Sequence, residues 1–163
     1  MSLEIYFKPI HSIKFSKNSI GSVIDSYVNS FPEWESSDIV FLTIHENRGS
    51  SSEKNNEIDH YSIRTRLYNF KWDGYLTISD LGILDAGSSL KDTYAALKEI
   101  TYEIQKKSKL LVLLGGSQDL TFANYLGYEQ LDQPINLTCI DHSFDVVVDR
   151  EQKISDKNYI NHL

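Results

Sequence analysis

Two short polar segments of this sequence follow apolar runs and carry the side chains best able to do chemistry. The first is "GGSQD" (115–119), after the run "LLVLL". The second is "DHSFD" (141–145), after the run 136–140. In an extended segment Asp141, Ser143 and Asp145 alternate onto one side, with His142 and Phe144 on the other. Two carboxylates on one side of a strand end can seat a hard divalent cation such as Mn²⁺ or Mg²⁺. The same residue types also cap helices and turns, so the pattern leaves both readings open. Asp141, His142 and Ser143 do not make a catalytic triad, because consecutive side chains diverge. Gly115-Gly116 is no phosphate cradle either: there is no GxGxxG, and no Lys follows as in GxxxxGK[ST]. The glycine pair reads as a sharp turn.

The elements that must position these segments alternate in type. "IVFLTI" (39–44) has the unbroken apolar character of a strand buried on both faces. The polar stretch 45–57 reads as a loop, 62–70 as a helix with Ile63, Leu67 and Phe70 on one face, and 76–81 as a second strand. Ser89 and Asp92 form a capping-box pattern ahead of a helix carrying Leu90, Tyr94, Leu97, Thr101 and Ile104. The strand 110–114 follows, then a short helix over about 121–131, a compact strand at 136–140 and the run 146–148. Earlier, Ile20, Val23, Ile24 and Tyr27 have helical spacing. Strand and helix in alternation predict one α/β domain with a mainly parallel sheet over 1–163. Parallel sheets bind ligands outside the carboxyl ends of their strands, which is where both polar segments fall. Tyr159, Ile160 and Leu163 suggest a further crossover helix, so the chain reads as part of a longer protein.

Bulk properties narrow the function. The 163 residues, 24% charged and 40% hydrophobic, suit one globular domain with a real core. A net charge of −7 with scattered Lys and Arg argues against a nucleic-acid surface. Lys106-Lys107 ends a helical pattern and complements its dipole. No signal peptide or membrane span is recognisable. Cys139 is the single cysteine, excludes an internal disulfide and fits a reducing cytoplasm. The glycosylation sequon at Asn136 overlaps a run expected to be buried, so it reads as chance. His11, His60 and His162 carry no pattern; His45, beside Glu46 and Arg48, reads as part of a surface loop.

"LLVLLGGSQDLT", with "NLTCIDHSFD" one crossover later, resembles the arginase, agmatinase and formimidoylglutamase family, the ureohydrolases. In that family one strand ends in Gly-Gly-Asp-His-Ser and a later one in Asp-Ala-His-x-Asp. "DIVFLTIHENRGS", "SIRTRLYNF" and "ISDLGILDAGSSLKDTYAAL" resemble the preceding segments in the family's order, from Asp38 to Asp145. "DTYAAL" leans toward the formimidoylglutamase branch. The resemblance implies a three-layer α/β/α sandwich and a pair of Mn²⁺ ions that activate water to attack a guanidinium or formimidoyl carbon.

The family's ligand pattern is degraded here. Gln118 stands at one implied histidine position, with Ser117 at the preceding Asp position, and Ser143 stands at the other histidine position. Asp141 and Asp145 match implied carboxylate ligands, and the third aspartate motif is absent. Gln and Ser are weak ligands for Mn²⁺. The expected cofactor state is therefore none, or one weakly held divalent cation on Asp141 and Asp145 with Gln118, Asp119 and Ser143 as altered positions. The chain is expected to be inactive as a C–N hydrolase by itself, with a small-molecule substrate for the full-length protein. The alternative is a non-catalytic relative that binds a small ligand or serves oligomer assembly; a homo-oligomer is expected, with no nucleic-acid or membrane partner.

Overall fold

The computed structural model describes residues 2–51, 59–141, 143–148 and 153–163. Five strands form one sheet: β1 (Phe7–Lys8), β2 (Ile24–Ser26), β3 (Ile39–His45), β4 (Ile78–Asp85) and β5 (Leu110–Leu114). Three α-helices accompany them, α1 (His60–Tyr68), α2 (Leu90–Lys106) and α3 (Leu120–Glu129). The order across the sheet is β1-β4-β3-β5, with β2 also on β4. β2, β3 and β5 run parallel to their neighbours and β1 is antiparallel to β4. The mainly parallel α/β reading therefore holds.

β3 is central, and its burial explains its composition. Val40, Leu42 and Ile44 join Leu81, Leu97, Ile100, Ile104 and Leu120 in the main core. α2 covers this face because its buried residues, Thr93, Leu97, Ile100, Thr101 and Ile104, recur at helical spacing. Its start is fixed by the full capping box: the Ser89 side chain accepts from the Asp92 amide, and the Asp92 carboxylate accepts from the Ser89 amide. Lys106 lies in the last turn of α2, as its place in the sequence suggests, while Lys107 pairs with Glu35 at 3.0 Å.

The opposite face of the sheet is held by α1 through charge. Arg64 donates from Nε to Asp80 Oδ2 at 2.7 Å and from Nη2 to Asp80 Oδ1 at 2.9 Å, and the two residues are 2% and 0% exposed. The remaining capacity is met by Thr43 Oγ1, the Gly82 carbonyl, the Tyr68 hydroxyl and the Gly82 amide. Gly82 has φ +91, and a Cβ there would strike the carbonyl of Lys8 on β1. The glycine thus permits both the register shift against β3 and the approach of β1.

Several elements differ from the sequence expectation. The helical pattern at 20–27 is a short 3₁₀ turn (Ile20–Ser22) followed by β2, because Ile24, Asp25 and Ser26 can pair with the free edge of β4. The second strand begins at Ile78 and runs on to Asp85, leaving Leu76 outside the sheet. Residues 136–140 form no strand: Leu137 is 50% and Ile140 is 96% exposed, so both the buried strand and the sequon's burial are corrected. The run 146–148 is likewise irregular and exposed. The carboxyl-terminal helical pattern is one 3₁₀ turn, Tyr159–His162. Of the predicted polar loop, 52–58 lies outside the described residues.

Replacing Arg64 by Met leaves the Asp80 carboxylate buried without its cation, a change that costs about 3–5 kcal/mol. Urea unfolding should show that loss as a lower midpoint. Arg64→Lys should recover only part of it, because an ammonium cannot reproduce the two-pronged pairing.

Candidate functional site

The carboxyl ends of β3, β4 and β5 are stitched together by Glu46, which follows directly on β3 and is 2% exposed. Its carboxylate accepts from Arg48 Nε at 3.0 Å, from the Arg48 amide at 2.9 Å and from Thr93 Oγ1 at 2.8 Å. Arg48 continues to the carbonyls of Gly87 and Ser88 beyond β4. The Glu46 carbonyl accepts from the Ser117 amide beyond β5 at 2.9 Å. Burial pushes the Glu46 carboxyl up, but the Arg48 and Thr93 donors outweigh it and hold it below its ordinary value.

The glycine pair makes the expected turn, with φ +84 at Gly115 and +77 at Gly116. A Cβ at Gly116 would collide with Leu120 and crowd the Glu46 carbonyl, so close packing and backbone conformation both demand glycine there. The turn delivers Ser117, Gln118 and Asp119 to different surroundings. Asp119 is fully buried: its Oδ2 accepts from the Tyr94 hydroxyl, and Gly49 packs directly on the carboxylate. Its Oδ1 and the Ser117 Oγ are buried, with no hydrogen-bond partner among the described residues. Burial pushes the Asp119 carboxyl up, against the hydrogen bonds it accepts.

Gln118 points elsewhere. Its Nε2 donates to Asp141 Oδ2 at 2.7 Å and to the Tyr159 hydroxyl at 3.1 Å. The Tyr159 hydroxyl is also 3.3 Å from Cys139 Sγ, and burial pushes its pKa up to about 12. Asp141 in turn borders Asp145. Asp145 is 7% exposed, accepts from Ser143 Oγ at 3.4 Å and has an Oδ2 with no partner among the described residues. Burial raises the Asp145 pKa first, and the Asp141 charge adds to it. A cavity of about 350 Å³ opens here, lined by Leu137, Cys139, Asp141, Ser143, Phe144 and Ile160 among others.

The structure thus gathers Gln118, Asp141, Ser143 and Asp145, and it separates Asp119 behind Tyr94 and Gly49. The segment is not a strand, so the picture of Asp141, Ser143 and Asp145 aligned on one strand side gives way to exposed Asp141 and Ser143 around a buried Asp145. His142 lies outside the described residues. Cys139 is exposed, outside any strand. His45 ends β3 and packs on His60, which corrects its assignment to a surface loop. Sequence reasoning passed over the bridging roles of Glu46 and Arg48, and also Tyr94 and Tyr159. Glu46 had one available signal, a carboxylate placed directly after a buried strand with an arginine two residues on.

No family model and no curated protein matches the chain. Solved structures do. A Trypanosoma cruzi formiminoglutamase crystallised with Mn²⁺ matches with TM-score 0.71 and 14% identity, over 81% of this chain and 49% of that one. A hypothetical agmatinase from Burkholderia thailandensis matches with TM-score 0.68 and 14% identity, over 89% of this chain and 49% of that one. The chain therefore has the arginase/agmatinase-family fold, and it spans about half the length of the structures it matches.

A dinuclear Mn²⁺ centre does not fit the residues present. Positions 118 and 143 carry an amide and a hydroxyl, and the Gln118 amide nitrogen is committed to the Asp141 carboxylate. Among the described residues no three His, Cys, Asp or Glu side chains converge to hold a metal ion.

Asp119 supplies a test of the electrostatics. Its folded pKa lies above its unfolded value, so the ionised form destabilises the fold above the folded pKa, and protonation relieves this as pH falls. Asp119→Asn should therefore raise the unfolding midpoint at pH 7. The gain should shrink as pH is lowered through the folded pKa, as read by thermal unfolding of both proteins across pH 4–8.

Proposed function

We propose that this chain is the amino-terminal half of a ureohydrolase-fold protein whose metal-binding strand ends have been rebuilt as a hydrogen-bonded cluster. By itself it performs no metal-dependent hydrolysis of guanidino or formimidoyl compounds. The observation that carries this reading is the hydrogen bond from Gln118 Nε2 to Asp141 Oδ2, 2.7 Å long. An amide N–H now stabilises a carboxylate for which the family resemblance implies a cation. The amide is too weakly basic to take a proton from water and carries no charge with which to lower water's pKa.

A second reading has its own support. The cavity of about 350 Å³ beside Asp141 falls within the size range of small-molecule sites and combines apolar walls with a few polar groups. The chain then acts as a non-catalytic binding module, in which Asp141 orients a ligand carrying a hydrogen-bond donor or positive charge.

Metal analysis of the purified chain after saturation with Mn²⁺ and gel filtration tests the first reading. Substoichiometric metal is expected, with no release of urea or formamide from arginine, agmatine or formimidoylglutamate. Stoichiometric Mn²⁺ that disappears in Asp141→Ala or Asp145→Ala would overturn it.

A further inference from the structure

On the other face of the sheet from α2, a histidine stands in the interior with its polar capacity unused. His60 is 7% exposed, and among the described residues neither Nδ1 nor Nε2 has a hydrogen-bond partner. A neutral imidazole offers one donor and one acceptor, and leaving such groups unmet in the interior is costly. His60 opens α1 and lines a cavity of about 100 Å³ with Pro9, Ile10, His11, Tyr61 and Arg64. Unmet polar atoms beside a cavity point to an occupant.

A second imidazole stands beside His60. His45, the last residue of β3, stands edge-on to His60 with ring centroids 5.0 Å apart. Two imidazoles bound to one tetrahedral ion at metal–nitrogen distances of about 2.0–2.1 Å have ring centres roughly 5 Å apart. The spacing therefore suits a shared ion, given rotation of the exposed His45 ring. Charge does not forbid it. Arg64, the cation lining the same cavity, is neutralised by its pairing with Asp80, and Asp59 caps the positive end of α1.

We propose that His45 and His60 form a two-imidazole site for a borderline first-row ion of the Zn²⁺, Ni²⁺ and Cu²⁺ group, with water completing the coordination shell. Imidazole donors select these ions over Mg²⁺ or Mn²⁺, which favour carboxylate and water. The site is separate from the cluster of Gln118, Asp141 and Asp145 and does not depend on the proposal made for it.

Calorimetric titration of the 163-residue chain with Zn²⁺ tests this. One equivalent should bind, and His45→Gln and His60→Gln should each weaken binding at least about tenfold, one order in the dissociation constant. Cys139→Ser and the double variant Asp141→Asn/Asp145→Asn should leave binding unchanged, which separates this site from the strand-end cluster and its thiol. Because His60 is buried, the exposed His45→Gln serves as the deciding variant if His60→Gln fails to fold by circular dichroism. No Zn²⁺ binding, binding indifferent to His45→Gln, or binding lost with the aspartates or Cys139 would overturn the proposal.

Discussion

The buried pairing of Arg64 with Asp80 sets the geometry on which the rest of the structure depends. A charged pair in the interior survives only when every donor and acceptor is met, since desolvating two ions outweighs their bare attraction. Here the arginine spends its donors on Asp80, Thr43 and the Gly82 carbonyl. Asp80 accepts further from Tyr68 and the Gly82 amide. These partners lie on α1, β3 and β4, so the helix has one depth and one register against the sheet. An apolar contact would tolerate sliding. A two-pronged pairing with fixed planes does not.

That registration has consequences at both ends of α1. At its start, it places the His60 ring against His45 at the end of β3. At its end, Tyr68 reaches Asp80 and Ser26 together, tying β2 to the same network. On the far side of the sheet the fixing is apolar, with α2 seated on Val40, Leu42 and Ile44. The carboxyl edge is then closed by a second charged device. Glu46 and Arg48 join the loops after β3 and β4, and the Glu46 carbonyl draws in the loop after β5.

What could be read from the sequence follows from which forces are local. The α2 capping box, the β3 run and the Gly115-Gly116 turn each encode their conformation within a few residues, and each was found as expected. The helical spacing at Ile20, Val23, Ile24 and Tyr27 misled because three residues suffice to pair with β4, and tertiary pairing overrides local periodicity. Residues 136–140 have strand composition, yet among the described residues they pair with no strand, and they lie exposed. Arg64 and Asp80 were invisible as a pair: nothing local distinguishes a buried arginine from a solvated one on a polar helix. For the site, motif order located Gln118, Asp141, Ser143 and Asp145 at one place, whereas the seclusion of Asp119 behind Tyr94 depends on packing no motif encodes.

Asp141 and Asp145 bring two carboxylates together outside any strand, an arrangement a divalent cation would otherwise relieve. The Asp141 charge raises the cost of ionising Asp145, which is buried besides. A metal-binding relative can offset such repulsion with metal charge. In this chain the relief is distributed: Gln118 donates to Asp141, Ser143 donates to Asp145, and Asp145 holds its proton more tightly than an ordinary carboxyl. Neutral donors weaken the repulsion without cancelling it, so the carboxylate field around the cavity persists. Any group that enters carrying hydrogen-bond donors or positive charge meets that field directly.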